Sequence, residues 1–209
     1  MVGDNEGTDG MKKLDLLVTG VGGQGVILAS DIVSEAALAV GYQAKKTDTL
    51  GMAQRGGSVI SHVRVSPEVW SPLIKEGSVD MLLVFEKLEA ARWSSYLSEG
   101  GIAIVNNLTI PPLAVSLGNA IYPSDEEIIS VIEERTDQVY LVNGSSRAME
   151  FGDVRALNMY MLGCASYFAS LIEPAVWKES ICRRLPAKVH EMNIEAFDCG
   201  RKEVQDACI

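Results

Sequence analysis

A glycine-rich turn near the start of the chain is the first stretch whose residue types could do chemistry. Gly20, Gly22 and Gly25 fit the pattern G-x-G-x-x-G, and Gly23 adds a further position without a side chain. Such glycines permit a tight turn and let backbone N–H groups at a helix N-terminus approach an anion. The surrounding LLVTGVGGQGVILASDIV (16–33) predicts a strand, this turn and then a helix, which is the context that a dinucleotide site requires.

The acidic residue that would complete a dinucleotide site is not at the usual position. In such sites an acidic residue at the end of the second strand, about 20 residues further on, binds the ribose hydroxyls. Here Lys45 and Lys46 occupy that region, and Asp48 comes slightly late. A P-loop is excluded because no G-K-[ST] follows the glycines. The spacing therefore leaves open nucleotide binding, binding of another ligand, and simple packing of the helix on the strand.

A second glycine-rich loop lies within TDTLGMAQRGGSVISHVRVS (47–66), between two predicted strands. Gly56 and Gly57 allow close approach of another chain or a ligand. Arg55 is the one strongly charged group of this loop, and its guanidinium suits a carboxylate or a phosphate. Because the loop leaves the second strand near its carboxyl end, we expect it at the edge where open α/β sheets bind ligands. The alternative is a surface connection with a solvated arginine.

Histidines and cysteines give weaker signals. His62 lies within a predicted strand, where a buried sheet residue is a more frequent role than a catalytic base. The cysteines form no C-x-x-C pair and all occur in the last quarter of the chain. We therefore expect separate thiols in a reducing cytosol, and no metal bound by this chain alone.

The elements that must position the two loops alternate between strands and helices. Predicted strands lie at 14–19, 42–47, 58–66, 80–86, 100–107, 119–123 and 138–144. Predicted helices lie at 24–40, 87–97 and 124–135, followed by helices at 156–172, 174–185 and 187–203. This alternation predicts an α/β fold, an open doubly wound, mostly parallel, Rossmann-like sheet with a helical C-terminal portion. Ser124 and Glu127 predict a capping box at the start of the helix at 124–135. The helix at 156–172 is either ordinary core, which is the favoured interpretation, or a surface for a partner.

Length and charge limit the class of protein. At 209 residues the chain is about one large domain, and we expect residues 1–12 to be a disordered tail before a single domain at 13–209. A net charge of -10 argues against a nucleic-acid surface. No apolar run reaches the ~18–20 residues of a membrane span. We expect a cytoplasmic protein that binds neither nucleic acid nor membrane.

Three motifs in order resemble a known family. GVGGQGVILAS, GMAQRGGSVISHVR and SPLI are similar to the gamma-type domain of 2-oxoacid:ferredoxin oxidoreductases. By this resemblance we expect 13–209 to be a single pyruvate-ferredoxin oxidoreductase gamma-type domain. The stretch MAQRGGSV resembles most closely the small beta subunit of the indolepyruvate branch, whereas the pyruvate and 2-oxoglutarate branches usually differ there. The resemblance runs from about Lys13 to the C-terminal helices.

This resemblance implies a chain that works in a complex. In the family a 2-oxoacid is decarboxylated on thiamine diphosphate held with Mg, iron–sulfur clusters pass electrons to ferredoxin, and coenzyme A takes the acyl group. The sequence has no G-D-G…N-N pattern for the diphosphate and no clustered cysteines. We therefore expect these cofactors on a larger partner subunit, none bound by this chain alone, and no catalytic residue here. An isolated chain is expected to self-associate, for example as a homodimer, through surface meant for the partner.

The resemblance also marks the two loops as cofactor-binding. The matching positions are Gly20, Gly22, Gly23, Gln24, Gly25, Gly51, Met52, Gln54, Arg55, Gly56, Gly57 and Ser58. We hypothesise that Arg55 and the glycine backbone face the partner's thiamine site or the phosphates of coenzyme A. The alternatives are a stand-alone NAD(P)-dependent oxidoreductase with Asp48 in the acidic role, a gamma subunit of the pyruvate or 2-oxoglutarate branch, and an assembly module whose loops only pack.

Overall fold

A six-stranded sheet forms the centre of the computed structural model, which describes residues 13–50 and 57–208. Its strands are β1 (Leu14–Val21), β2 (Gln43–Leu50), β3 (Ser58–Ser66), β4 (Val79–Val84), β5 (Leu97–Asn106) and β6 (Gln138–Val142). They lie in the order β2-β3-β1-β4-β5-β6, and of these six β3 alone runs opposite to the others. The predicted open, mostly parallel sheet is confirmed.

Helices cover both faces of this sheet. They are α1 (Val26–Ala39), α2 (Lys87–Trp93), α3 (Leu113–Ser116), α4 (Asp125–Glu133), α5 (Gly144–Glu150), α6 (Leu157–Phe168), α7 (Pro174–Arg184) and α8 (His190–Ala207). α1, α6, α7 and α8 pack together over one face, and α2 and α4 over the other. Each face of the sheet has its own hydrophobic core. Along β4, Met81 and Leu83 point into the core under the first group of helices, whereas Leu82 and Val84 point into the core under the second group, because successive side chains of a strand alternate between faces.

The predicted capping box at the start of α4 is confirmed. The Ser124 hydroxyl accepts a hydrogen bond from the Glu127 backbone N–H at 3.2 Å, and the Glu127 carboxylate accepts one from the Ser124 N–H at 2.7 Å. Two of the orphan donors at the helix N-terminus are therefore satisfied locally.

The predicted strand at 119–123 is wrong. These residues form no strand, and the neighbour of β5 in the sheet is β6, which pairs with it in parallel register. Pro123 closes the segment and has no N–H to donate to a strand ladder, which disfavours pairing. The segment instead follows the short helix α3, with 119–121 exposed and Tyr122 and Pro123 half-buried.

Two glycines allow α6 and α8 to approach closely. A Cβ added at Gly163 would lie 2.0 Å from the Phe197 carbonyl oxygen, and one at Gly200 would lie 2.0 Å from the Tyr160 carbonyl oxygen. Most residues of α6 are buried. The favoured interpretation of 156–172 as ordinary core is therefore confirmed, although α6 itself ends at Phe168.

His62 makes the stability of this fold depend on pH. It is buried on β3, its Nδ1 accepts a hydrogen bond from the Ile74 N–H at 3.3 Å, and burial lowers its pKa from 6.5. As pH falls through 6.5 the unfolded chain binds a proton that the folded chain resists, so this contribution to stability is lost toward acid, by at most about 1.4 kcal/mol per pH unit. Denaturant titrations between pH 7.5 and 5 measure this slope. We expect His62→Gln to reduce this slope relative to the native chain; an unchanged slope in that variant would contradict the assignment.

Candidate functional site

The two glycine-rich loops meet at one edge of the sheet. The carboxyl ends of β1 and β2 lie at this edge, and the antiparallel strand β3 begins there. The Gly22 N–H donates a hydrogen bond to the Gly57 carbonyl at 3.1 Å, which joins the first loop to the end of the second. The predicted shared edge is confirmed for the loop ends that the structure describes.

Five predicted site residues lie outside the described residues. They are Gly51, Met52, Gln54, Arg55 and Gly56. Their assignment to cofactor binding stays a prediction, whereas the first loop and the positions Gly57 and Ser58 can be described directly.

Gln24 spans the crevice between β1 and β4. Its Oε1 accepts a hydrogen bond from the Val21 N–H at 2.7 Å, and its Nε2 donates one to the Phe85 carbonyl at 3.0 Å. α1 packs on one face of the sheet and α2 on the other, so this crevice is the topological switch point where doubly wound folds bind their ligands. A Cβ at Gly20 would lie 2.7 Å from the Gln24 Oε1. Gly20 therefore makes room for a side chain of this protein.

Gly23 and Gly25, two further glycines of the first loop, occupy different surroundings. A Cβ at Gly25 would lie 2.1 Å from the Nδ2 of Asn158, a residue on α6 that is 6% exposed. Gly23, with φ +95°, is exposed and has nothing within 4 Å of such a Cβ. Gly25 is the N-cap of α1, which has no side-chain cap and no acidic residue in its first turn. The positive end of the helix dipole at this open turn suits an anion.

Ser58 is held by a buried carboxylate. Its hydroxyl donates to the Glu89 Oε2 at 2.5 Å, and Glu89 also accepts hydrogen bonds from the Arg92 Nε and the Trp93 Nε1. Glu89 is 4% exposed and lies in the first turn of α2. The contact fixes the point at which the second loop re-enters the sheet, so the described role of Ser58 is to position that loop.

Glu86 holds the chain that follows β5. Its carboxylate accepts hydrogen bonds from the Ile110 N–H at 3.0 Å and the Tyr122 hydroxyl at 2.6 Å, and it caps α2 through the Glu89 N–H. Burial, followed by this hydrogen bond to the carboxylate, raises the pKa of Tyr122. Sequence reasoning missed both glutamates, because glutamate is not among the residues preferred at a helix N-cap and their other contacts come from distant parts of the chain.

Asp48 does not occupy the place of a ribose-binding acid. β3 separates β2 from β1, so Asp48 lies on a strand about 10 Å from the glycine turn's own strand. Its carboxylate already accepts a hydrogen bond from the Ser61 hydroxyl at 2.6 Å and pairs with Lys46 at 3.2 Å. Together with Gln24 in the crevice, this placement disfavours the NAD(P) alternative.

The same described residues contain no metal-holding cluster and no membrane-spanning helix. Within 13–50 and 57–208, no group of three or more His, Cys, Asp or Glu side chains is arranged to hold a metal ion. Cys164, Cys182, Cys199 and Cys208 are free thiols. In this described part of the chain, no helix has the length and apolar character needed to cross a membrane.

Comparison with known proteins gives relatives along nearly the whole chain. Residues 15–203 match the sequence profile of the family described as pyruvate ferredoxin/flavodoxin oxidoreductase. The indolepyruvate oxidoreductase subunit IorB of Pyrococcus horikoshii is 37% identical over 198 residues, which cover 94% of this chain and 98% of the relative. The same subunit of Archaeoglobus fulgidus is 36% identical, covering 90% and 94%. The 2-oxoglutarate synthase subunit KorC of Methanothermobacter marburgensis is 28% identical, covering 92% and 97%.

Solved structures share the fold. The gamma subunit of keto/oxoacid ferredoxin oxidoreductase from Geobacter sulfurreducens has a TM-score of 0.69 at 24% identity, covering 92% of this chain and 99% of that one. The 2-oxoglutarate:ferredoxin oxidoreductase from Magnetococcus marinus has a TM-score of 0.70 at 22% identity, covering 94% of this chain and 32% of that one. The fold thus occurs both as a separate subunit and as about a third of a longer chain.

Proposed function

Because this chain belongs to the pyruvate ferredoxin/flavodoxin oxidoreductase family, we propose that it is the small subunit of an indolepyruvate-type 2-oxoacid:ferredoxin oxidoreductase. The observation that carries the proposal is the 37% identity to an IorB subunit over 98% of that protein's length. The lower identity to a KorC subunit, 28%, makes 2-oxoglutarate the second candidate substrate.

The chemistry is divided between two chains in this proposal. Thiamine diphosphate with Mg would decarboxylate the 2-oxoacid, and iron–sulfur clusters would carry the electrons to ferredoxin, all on a larger subunit. This chain would cover the catalytic region with its glycine-lined edge and limit the access of water there.

The open turn gives this chain a specific task. The backbone of Gly23 and the uncapped N-terminus of α1 fit a phosphate group, and Arg55 in the adjoining loop would add a guanidinium. We assign this edge to the phosphates of coenzyme A. Gln24 and Ser58 would hold the two loops in place without contacting the reacting atoms.

The decisive experiment is purification of the complex from the source cells through a tag on this chain. The proposal predicts a brown complex that reduces viologen with indolepyruvate, with kcat/KM at least about tenfold above that for 2-oxoglutarate, a difference of about 1.4 kcal/mol. The isolated chain should be inactive. Recovery of a colourless chain that binds NAD tightly by itself would overturn the proposal, and a preference for 2-oxoglutarate would move the chain to the second candidate.

Arg55→Ala tests the assignment to coenzyme A within that complex. Loss of one charged hydrogen-bond partner should raise the KM for coenzyme A about tenfold while the complex still assembles. Lys45→Ala, which removes an exposed lysine of β2, is the matched control and should leave this KM unchanged. If Arg55→Ala alters neither assembly nor coenzyme A kinetics, Arg55 does not face the coenzyme.

A further inference from the structure

The segment 107–124, here called the apolar arm, has an unusual composition for its position. It connects β5 to α4 at the edge of the sheet that carries the glycine turn. It contains no charged residue, although 22% of the chain is Asp, Glu, Lys or Arg. None of its residues is buried, and Leu113, Leu117 and Ile121 are 70%, 65% and 93% exposed.

The apolar arm is anchored to the body of the protein at both ends. The buried Glu86 binds the Ile110 N–H and the Tyr122 hydroxyl, and the Leu108 carbonyl accepts a hydrogen bond from the Lys87 N–H at 3.0 Å. Glu86 directly follows Phe85, whose carbonyl binds Gln24. The same end of β4 therefore supports the apolar arm and the glycine turn, and a chain that covers one would reach the other.

Exposing large apolar side chains to water is unfavourable in free energy. A single exposed leucine is ordinary, but several large apolar side chains on one uncharged segment are characteristic of an interaction surface. The centres of protein interfaces are depleted in charged residues in the same way. The composition of the apolar arm thus matches the centre of an interface.

Charge distinguishes between two occupants of this surface. Asp125, Glu126 and Glu127 are exposed where the apolar arm enters α4. Asp125 pairs with Lys87, so the three carboxylates leave this rim with a net negative charge. A second copy of this chain would bring the same acidic rim and a net charge of -10, and the two would repel. A different chain with an apolar centre and a lysine- and arginine-rich rim would be complementary.

We propose that the apolar arm docks onto such a basic-rimmed apolar patch of the larger catalytic subunit. The inference rests on the proposed function, since it takes the thiamine-binding chain as the occupant. In the assembled complex the arm would fix the glycine edge against that subunit, with Leu113, Leu117 and Ile121 at the centre of the contact.

The test uses the full chain and the separately purified large subunit of the same organism's 2-oxoacid oxidoreductase. Affinity is measured by analytical ultracentrifugation for the native pair and for Leu113→Glu combined with Leu117→Glu. We expect at least about tenfold weaker association, because two charges would be buried in an apolar contact. Thermal unfolding of the isolated variant should be unchanged. Trp70→Glu is the control, since Trp70 is 81% exposed but lies in the connection from β3 to β4 at the opposite edge.

The outcomes of this experiment test the proposed function and the docking inference separately. If the native chain does not bind the large subunit, the proposed function fails. If the native pair forms and the double variant binds equally well, the proposed function stands and the docking inference is wrong. The inference would also be wrong if the native chain formed a dimer by itself and the double variant were a monomer, because the occupant of the apolar arm would then be a second copy.

Discussion

Replacing Gly200 by alanine should lower the free energy of unfolding by about 3 kcal/mol or more, or prevent folding altogether. The new Cβ would lie 2.0 Å from the carbonyl oxygen of Tyr160. That oxygen is a backbone atom of α6, so it cannot rotate away as a side chain could. α6 and α8 would have to separate, and the buried side chains between them, including Phe197, would lose their packing.

The expected loss of stability in Gly200→Ala is opposite in sign to the usual effect of replacing glycine by alanine in a helix. In an exposed helix, glycine to alanine stabilises by about 1 kcal/mol, because alanine is the better helix former. Urea titration of Gly200→Ala therefore separates close packing from helix propensity. Lys202→Ala, at an exposed position of α8, is the control and should change stability by less than about 0.5 kcal/mol. A gain in stability at Gly200 would show that the two helices do not constrain each other as described.

Local patterns predicted most of the elements of this fold. The strand at 58–66 and the capping box of Ser124 and Glu127 depend on neighbours in sequence, so both could be predicted from the sequence. The strand order could not be predicted in full. No helix is predicted between 47 and 58, which favours an antiparallel pair of β2 and β3, but nothing local places that pair with β3 against β1.

The residues that organise the site are joined by long-range contacts. Glu89 meets Ser58, and Asn158 meets Gly25, across separations in sequence that no local pattern reports. The strand predicted at 119–123 is wrong for a related reason: apolar residues predict burial in a sheet, whereas Ile121 is exposed. The sequence therefore indicated the candidate edge of the sheet, and tertiary structure was needed to separate the loop residues that are packed from those that are open.

The glycine turn shows this separation most clearly, and Gly25→Ala tests it. Gly25 adopts φ +80°, which costs an alanine about 1–2 kcal/mol, and its Cβ would displace the buried carboxamide of Asn158. We expect a total loss of about 3 kcal/mol in the free energy of unfolding. Gly23→Ala is the matched control, because it shares the left-handed conformation but has no neighbour within 4 Å; it should lose only about 1–2 kcal/mol.

A double-mutant cycle assigns the difference to one contact. Replacing Asn158 by alanine removes the carboxamide, so Gly25→Ala should be at least about 1 kcal/mol less costly in that background. Equal costs at Gly23 and Gly25, or no coupling to Asn158, would mean that packing does not explain the second glycine. In the assembled complex the roles should reverse: Gly23→Ala, the less destabilising of the two changes, should weaken coenzyme A binding more, because Gly23 is where the open turn would admit a phosphate. One glycine of the motif would then serve the fold, and its neighbour the ligand.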